Sequence, residues 1–180
     1  MTEPTDHPTD QSFAPPAEIR AALDAHTTLT LAYVDEDGPQ ACAVLYAVST
    51  AATGGSGESG ESVGSGESVP SLLFVTSGTT RHGRALLAGD GRVAFTAQRD
   101  GQDWTSLTGV QGRGTCRLLQ GSDRETAWHA YSARFPYVER TDRLRQAMER
   151  TGLWELRPDW LRLVDNGRGF GHKTEWRKTF

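Results

Sequence analysis

Seven consecutive residues carry the chemistry that stands out in this chain: Thr76-Ser77-Gly78-Thr79-Thr80-Arg81-His82. Four hydroxyls, one glycine and two cationic side chains follow directly on the apolar run Leu72-Leu73-Phe74-Val75. A helical pattern then begins with Ala85, Leu86 and Leu87. A strand that feeds a helix through such a turn makes an anion cradle. The first N–H groups of a helix lack intrahelical acceptors and point at a ligand. The helix dipole adds partial positive charge there. Arg81 offers a planar donor fork matched to phosphate. The bland alternative is an ordinary helix cap with an exposed Arg and His. Ser77, His82 and Asp90 have no spacing that would make them a catalytic triad, and no catalytic residue is identified.

The elements that must position these residues follow from periodicity. Ala17 to His26 reads as a short helix with Ile19 and Leu23 on one face. Thr28 to Val34 alternates as a strand, Asp35-Glu36-Asp37-Gly38 reads as a hairpin loop, and Ala41 to Val48 as the return strand. Leu72 to Val75 is a third strand, Thr80 to Leu87 a helix, and Arg92 to Ala97 a fourth strand. Asp100 to Leu107 holds Trp104 in a polar turn. Gly109 to Leu119 is a long strand whose glycines signal a bulge, a barrel corner or close approach of a ligand. Ser122 and Glu125 match a capping box. The helix after them carries Trp128, Tyr131 and Phe135 as a core stripe and ends at Pro136. Thr141 to Arg150 is a further helix, with Leu144, Ala147 and Met148 facing inward. Leu153 to Leu156 and Trp160 to Val164 read as strand on either side of an Arg157-Pro158-Asp159 turn. This amounts to about six strands joined mostly by hairpins. The fold class expected is mainly β (α+β), a six-stranded antiparallel barrel with short flanking helices.

Composition sets the frame. The chain has 180 residues, 36% hydrophobic and 23% charged, which suits one domain, placed at 16–176. Residues 1–15, rich in Pro, Thr and Asp, read as a disordered tail. The Gly/Ser/Glu-rich stretch 49–69 reads as a flexible loop between neighbouring strands, because it cannot bury enough apolar surface to offset its ordering entropy. No apolar run approaches the ~20 residues needed to span a membrane. The first residues lack the basic and apolar regions of a signal peptide. Net charge is −4, which argues against a nucleic-acid partner. The arginines between 134 and 150 alternate with acids and read as a solvated face. Cys42 and Cys116 read as buried free thiols of a reducing, cytoplasmic setting. No spacing suggests a metal site.

Four motifs in order carry a resemblance. They are Thr80-Arg81-His82, Val110-Gln111…Gly114, Tyr131…Arg134-Phe135-Pro136, and Asp165-Asn166…Gly169-Phe170-Gly171-His172-Lys173…Trp176. Their order and spacing resemble the FMN-binding split β-barrels, the pyridoxamine 5'-phosphate oxidase-like superfamily, and within it the small bacterial YhbP-like branch. The resemblance covers roughly residues 20 to 176 without the Gly/Ser stretch. It implies a homodimer with FMN sites at the subunit interface. It implies Thr80, Arg81 and His82 on the phosphate, with Thr76 and Ser77 near the ribityl chain or ring edge. The backbone from Cys42 to Leu45 would line the isoalloxazine. Gln111 and Trp104 would come from the partner subunit, and Lys173 and Trp176 would close the site from the tail. Relatives often carry Lys where this chain has His82, a weaker, pH-dependent cation.

The function implied is an FMN-dependent oxidoreductase acting on a small molecule, with electrons from a nicotinamide donor. A deazaflavin in place of FMN stays open. So does a haem-binding protein using His172, and so does a non-catalytic flavin-binding dimer.

Overall fold

The computed structural model describes residues 14–50 and 69–179. Of the expected tail (1–15) and Gly/Ser loop (49–69), residues 1–13 and 51–68 lie outside the described residues, while Ser49, assigned to the loop, is the buried last residue of a strand. Ala14 and Pro15, assigned to the tail, are buried instead.

Helix α1 (Ala17–Ala25) precedes β1 (Thr28–Asp35) and β2 (Gly38–Ser49). Next come β3 (Ser71–Thr76), α2 (Arg81–Ala88), β4 (Arg92–Ala97) and β5 (Thr108–Leu118). Two helices follow, α3 (Gly121–Arg134) and α4 (Asp142–Glu149), then β6 (Gly152–Asp165) and β7 (Lys173–Arg177). The strands run β3-β2-β1-β4-β5-β6-β7, all antiparallel, and β3 also pairs with β6. Six strands therefore close a ring, and the seventh, β7, adds to β6 alone. This is an α+β split barrel with flanking helices. The expected count of six fits the ring; β7 is the addition.

Strand β6 makes the closure possible. Its first half, Leu153 to Leu156, pairs with β3, while Trp160 to Val164 pairs with β7. It is one continuous strand, so the expected Arg157-Pro158-Asp159 turn is corrected to a β-bulge. The register against β5 slips there: Arg113 faces Trp160, but Gly114 faces Pro158. Proline cannot donate to the ladder, and a bulge is where it is tolerated. Gly114 completes the device, since a β-carbon there would lie 2.1 Å from the Arg157 carbonyl oxygen.

The barrel interior holds Leu29, Leu31, Phe74, Phe95, Trp154 and Trp176 among its core residues, and α1 adds Ile19 and Leu23. A second cluster lies between the sheet and α3, joining Leu73 and Leu153 to Tyr131 and Phe135. Strand β3 is thus covered on both faces, which explains its unbroken apolar run. The expected capping box is corrected: α3 starts at Gly121, with Gln120 at its cap position and no side-chain cap. Asp123, inside its first turn, is drawn instead to Arg117 at 2.9 Å. Helix α4 has no fully buried residue; Ala147 is exposed, and only Leu144 and Met148 are half-buried. Cys116 is buried but Cys42 only half so, and both are free thiols. No helix among the described residues is long and apolar enough to cross a membrane.

The outward face of the sheet is built from small residues on one side and charged and aromatic ones on the other. Ala43, Thr30, Thr96, Gln111, Arg162 and Glu175 are successive cross-strand neighbours. The adjacent row runs Ala41, Ala32, Ala94, Arg113, Trp160 and Arg177.

Candidate functional site

The β3–α2 junction is a self-contained polar turn. Thr80 is the N-cap of α2, and its hydroxyl accepts from the Gly83 N–H at 3.1 Å. The same hydroxyl donates to the Ser77 carbonyl at 2.8 Å. The Ser77 hydroxyl accepts from the Thr79 N–H at 3.2 Å. Thr76 Oγ1 lies 3.1 Å from Thr80 Oγ1 and 2.6 Å from His82 Nε2. Because the Thr80 proton is committed to Ser77, Thr76 donates either to Thr80 or to His82. Gly83 permits this closeness: a β-carbon there would sit 2.1 Å from the Ser77 carbonyl oxygen.

The residues expected on a phosphate are therefore together, but most of their polar atoms cap the helix. His82 is half-buried, and burial lowers its pKa below the usual 6.5. It is neutral at pH 7, so it is not a standing cation for a phosphate. Its ring also lies 6.2 Å from that of Tyr33.

The cations that remain are Arg81 and Arg84. Both line an open groove of about 690 Å³ between α2 and the β1–β2 turn, whose other wall is Val34, Asp35, Glu36 and Asp37. Arg84 Nη1 donates to the Thr79 carbonyl at 2.5 Å. Arg81 Nε donates to Asp35 Oδ2 at 2.6 Å, and its Nη2 reaches Asp37 Oδ2 at 2.5 Å. The hydrogen bond from Arg81 holds the Asp35 carboxyl below its ordinary 3.8, so it is ionised at neutral pH. Sequence reasoning missed these two aspartates as site residues. The acidic turn was visible, but nothing in the sequence linked it to an arginine 46 positions away.

The other expected residues lie elsewhere. Gln111 sits on the outward face of β5 and lines a groove of about 260 Å³ with Thr96, Gln98, Leu107 and Val164. Lys173 is exposed and pairs with Val164. Trp104 stands 68% exposed and packs on Phe170, itself 78% exposed, with ring centres 5.5 Å apart. Asn166 fixes this pair, donating to the Trp104 carbonyl at 2.9 Å and accepting from the Gly171 N–H at 3.0 Å. Trp176 is corrected: it is wholly buried, facing the barrel interior opposite Leu161, and offers no surface to a ligand. Strand alternation explains this, since Glu175 and Arg177 take the outward positions.

In one chain the two groups are separated. Arg81 meets the Asp35 end of β1, whereas Gln111 neighbours Thr96, which pairs with Thr30. Five residues of strand, about 17 Å at 3.3–3.4 Å per residue, separate Asp35 from Thr30.

Beside Gln111 the outward face carries a cation–aromatic cluster that the sequence did not single out. Arg162 and Arg113 lie 5.0 and 5.6 Å from the centre of the Trp160 ring. Glu175 binds Arg162 Nε at 2.6 Å and the Trp160 indole N–H at 3.3 Å. Burial pushes the Glu175 carboxyl up, but these hydrogen bonds outweigh it and leave the pKa lowered. His172 Nε2 is buried and has no hydrogen-bond partner among the described residues. The described residues contain no cluster of three or more potential metal-binding side chains.

No family model matches the chain. Among solved structures, the heme binding protein from Mycobacterium smegmatis aligns with TM-score 0.60 at 20% identity, over 89% of this chain and 57% of that one. A Clostridium acetobutylicum protein of the pyridoxinephosphate oxidase family, related to a general stress protein, aligns with TM-score 0.53 at 12% identity, over 89% and 92%. At these identities the likeness shows a shared fold. UPF0306 protein YhbP of Escherichia coli O157:H7 (strain EC4115 / EHEC) is 32% identical over 105 residues, 58% of this chain. That match spans 65% of the YhbP chain, less than two thirds of its length. YhbP of Escherichia coli O127:H6 (strain E2348/69 / EPEC) is 32% identical over 109 residues, 59% of this chain and 70% of its own. With that identity over more than two thirds of a relative, the chain belongs to the UPF0306 family, the family of YhbP.

Proposed function

We propose that this protein binds FMN as a homodimer and acts as an oxidoreductase on a small molecule, with a nicotinamide electron donor. The observation that carries the reading is the groove at the β3–α2 junction, where Arg81 and Arg84 stand beside the capped start of α2. A guanidinium pair at a helix start suits a phosphomonoester. Bound FMN would supply the hydride or electron transfer; the protein binds, orients and tunes it. In this reading Arg81 holds the phosphate. The Thr76–Thr80–His82 network keeps the turn rigid. Gln111, Trp104 and Lys173 cover the ring from the second subunit. Within one chain the two groups lie roughly 17 Å apart along β1, so in this reading the second group is supplied by a two-fold partner. The small side chains Ala32, Ala41, Ala43 and Ala94, neighbours across β1, β2 and β4, leave room for a second subunit to approach.

The test is a visible absorption spectrum of the purified protein after desalting, with and without added FMN. Retained flavin bands are expected, followed by reduction with NADH or NADPH. Tight flavin without reduction would leave a non-catalytic binding dimer. Arg81→Ala is expected to weaken FMN binding, because it removes the guanidinium that would make charge-assisted hydrogen bonds to the phosphate. Unchanged affinity would remove the phosphate assignment.

A second reading, haem binding, is favoured by the buried, unpartnered Nε2 of His172. Imidazole nitrogen is an axial ligand to haem iron. Addition of haemin would give a sharp Soret band, lost in His172→Ala, with no flavin retained.

A further inference from the structure

We propose that Asp35 and Asp37 determine ligand selectivity at this groove by competing with a phosphate for the guanidinium of Arg81. The inference rests on the FMN reading above and concerns how the same site weighs the charge of its ligand.

The geometry is that of an occupied cradle. Asp35 binds Arg81 bidentately, Oδ2 to Nε at 2.6 Å and Oδ1 to Nη2 at 3.2 Å. That edge of the guanidinium is the one a phosphate would take with two parallel bonds. Asp37 adds a third carboxylate contact, at 2.5 Å to Nη2. The two acids differ in mobility. The Asp35 side chain is 12% exposed, and its Oδ1 also accepts from the Asp37 N–H at 3.0 Å, which closes the turn. The Asp37 side chain is 70% exposed and is held at this contact by Arg81. Displacing Asp37 therefore costs little, as is usual for an exposed ion pair. Displacing Asp35 means opening the turn.

Charge sets the direction of the selectivity. Asp35, Glu36 and Asp37 bring three negative charges to a groove whose cations are Arg81 and Arg84. A phosphate dianion entering here must exchange with the carboxylates or be repelled by them. A neutral ligand such as riboflavin meets neither obstacle. The acidic turn thus narrows the preference for a phosphomonoester over its neutral counterpart, and removing the two charges should widen it.

Full-length protein is titrated with FMN and, separately, riboflavin, following quenching of flavin fluorescence, for the wild type, Asp35→Asn/Asp37→Asn and Arg81→Ala. Asparagine keeps an oxygen to accept from the turn N–H, so the hairpin is retained. The expected result is about tenfold tighter FMN binding in the double variant with riboflavin unchanged, and loss of the preference for FMN over riboflavin in Arg81→Ala. If Arg81→Ala lowers the FMN-to-riboflavin preference but the double variant leaves it unaltered, the competition is refuted and the phosphate assignment stands. If Arg81→Ala leaves the preference unaltered, or the wild type binds neither flavin, the phosphate assignment falls and the competition with it. Should the double variant fail to fold, Asp37→Asn alone is read in the same way, with a smaller gain in FMN affinity expected and no gain refuting the competition.

Discussion

The β3–α2 junction and the outward face of β5, β6 and β7 are both polar, yet they are built in opposite ways. At the junction the side-chain hydrogen bonds of Thr80, His82 and Arg84 join residues close in the chain: Thr80 with Ser77, His82 with Thr76, Arg84 with Thr79. On the outward face the partners are distant: Arg113 with Asp159, Glu175 with Arg162 and Trp160, Asn166 with Trp104. The first region is a local solution to capping a helix, and it uses up its hydroxyls in doing so. The second exists only once the strands are in register. A site assembled from both would combine an already satisfied turn with a surface that carries exposed rings, Trp104 and Phe170.

The largest expected effect comes from breaking the register that creates the second region. A β-carbon at Gly114 would lie 2.1 Å from the Arg157 carbonyl oxygen and 2.8 Å from Pro158 Cα. Both are backbone atoms, so no side chain can swing away. Gly114→Ala should cost about 3 kcal/mol in urea unfolding, the upper part of the overpacking range. It should also disturb the stacking of Arg113 and Arg162 on Trp160, visible as altered tryptophan fluorescence. A cost below about 0.5 kcal/mol would mean that the bulge yields freely and that the face is not fixed by it.

This contrast also explains what was legible in the sequence. Thr80 as a helix start and Leu72 to Val75 as a buried strand follow from local pattern, and the structure places both within a residue or two. The polar cluster Thr76 to His82 was found because its members are adjacent. The Arg81–Asp35–Asp37 contact was not, because it depends on which hairpin lies over α2. Trp176 was misplaced for a related reason. A tail of Lys, Glu, Arg and Trp reads as surface until β7 pairs with β6 and alternation turns Trp176 inward. The single strand β6 was read as two, because Pro158 resembles a turn until β5 supplies a bulge to hold it.

Removing the Thr80 hydroxyl probes the local region directly. Thr80→Ala deletes the cap on Gly83 N–H and the bond to the Ser77 carbonyl, while Thr80→Ser keeps both. A loss of about 1–2 kcal/mol is expected for Ala and little for Ser. If the capping network positions the groove, FMN affinity should fall with Ala and recover with Ser. Equal stability of all three proteins would show that the turn is held by tertiary contacts, and the contrast between the regions would weaken.

A smaller effect is expected from the exposed rings. Trp104 and Phe170 touch each other at the surface, so truncating either in one subunit removes little buried area. A double-mutant cycle on thermal unfolding should give a coupling of about 0.5–1 kcal/mol, near the lower end for an aromatic pair. A much larger loss that grows with protein dilution would place the pair in a subunit contact, as the homodimer reading requires.

The smallest effect separates, by pH, the turn of the junction from the ion pair across its groove. Burial lowers the His82 pKa in the folded protein, so near pH 6 the unfolded chain binds the proton more readily than the native one. Stability from keeping His82 neutral is present above its ordinary 6.5 and is lost as pH falls from there through the folded value. His26, also lowered by burial and then by Arg99, loses stability over the same window. Asp35 behaves differently: its carboxyl is held below 3.8 by Arg81, so its contribution persists to much lower pH. The melting temperature should therefore fall between pH 7 and 5.5, with a second loss below about pH 4 as carboxylates of this kind protonate. His82→Gln, which can still hydrogen-bond to Thr76, should remove about 1–2 °C of the first fall, with His26 keeping the remainder. It should leave the acid limb unchanged, because that limb belongs to carboxylates held by arginines, Asp35 and Glu175 among them, rather than to the imidazole. An undiminished first fall in His82→Gln would assign that window to His26 alone, and the junction would then be a polar cluster insensitive to pH.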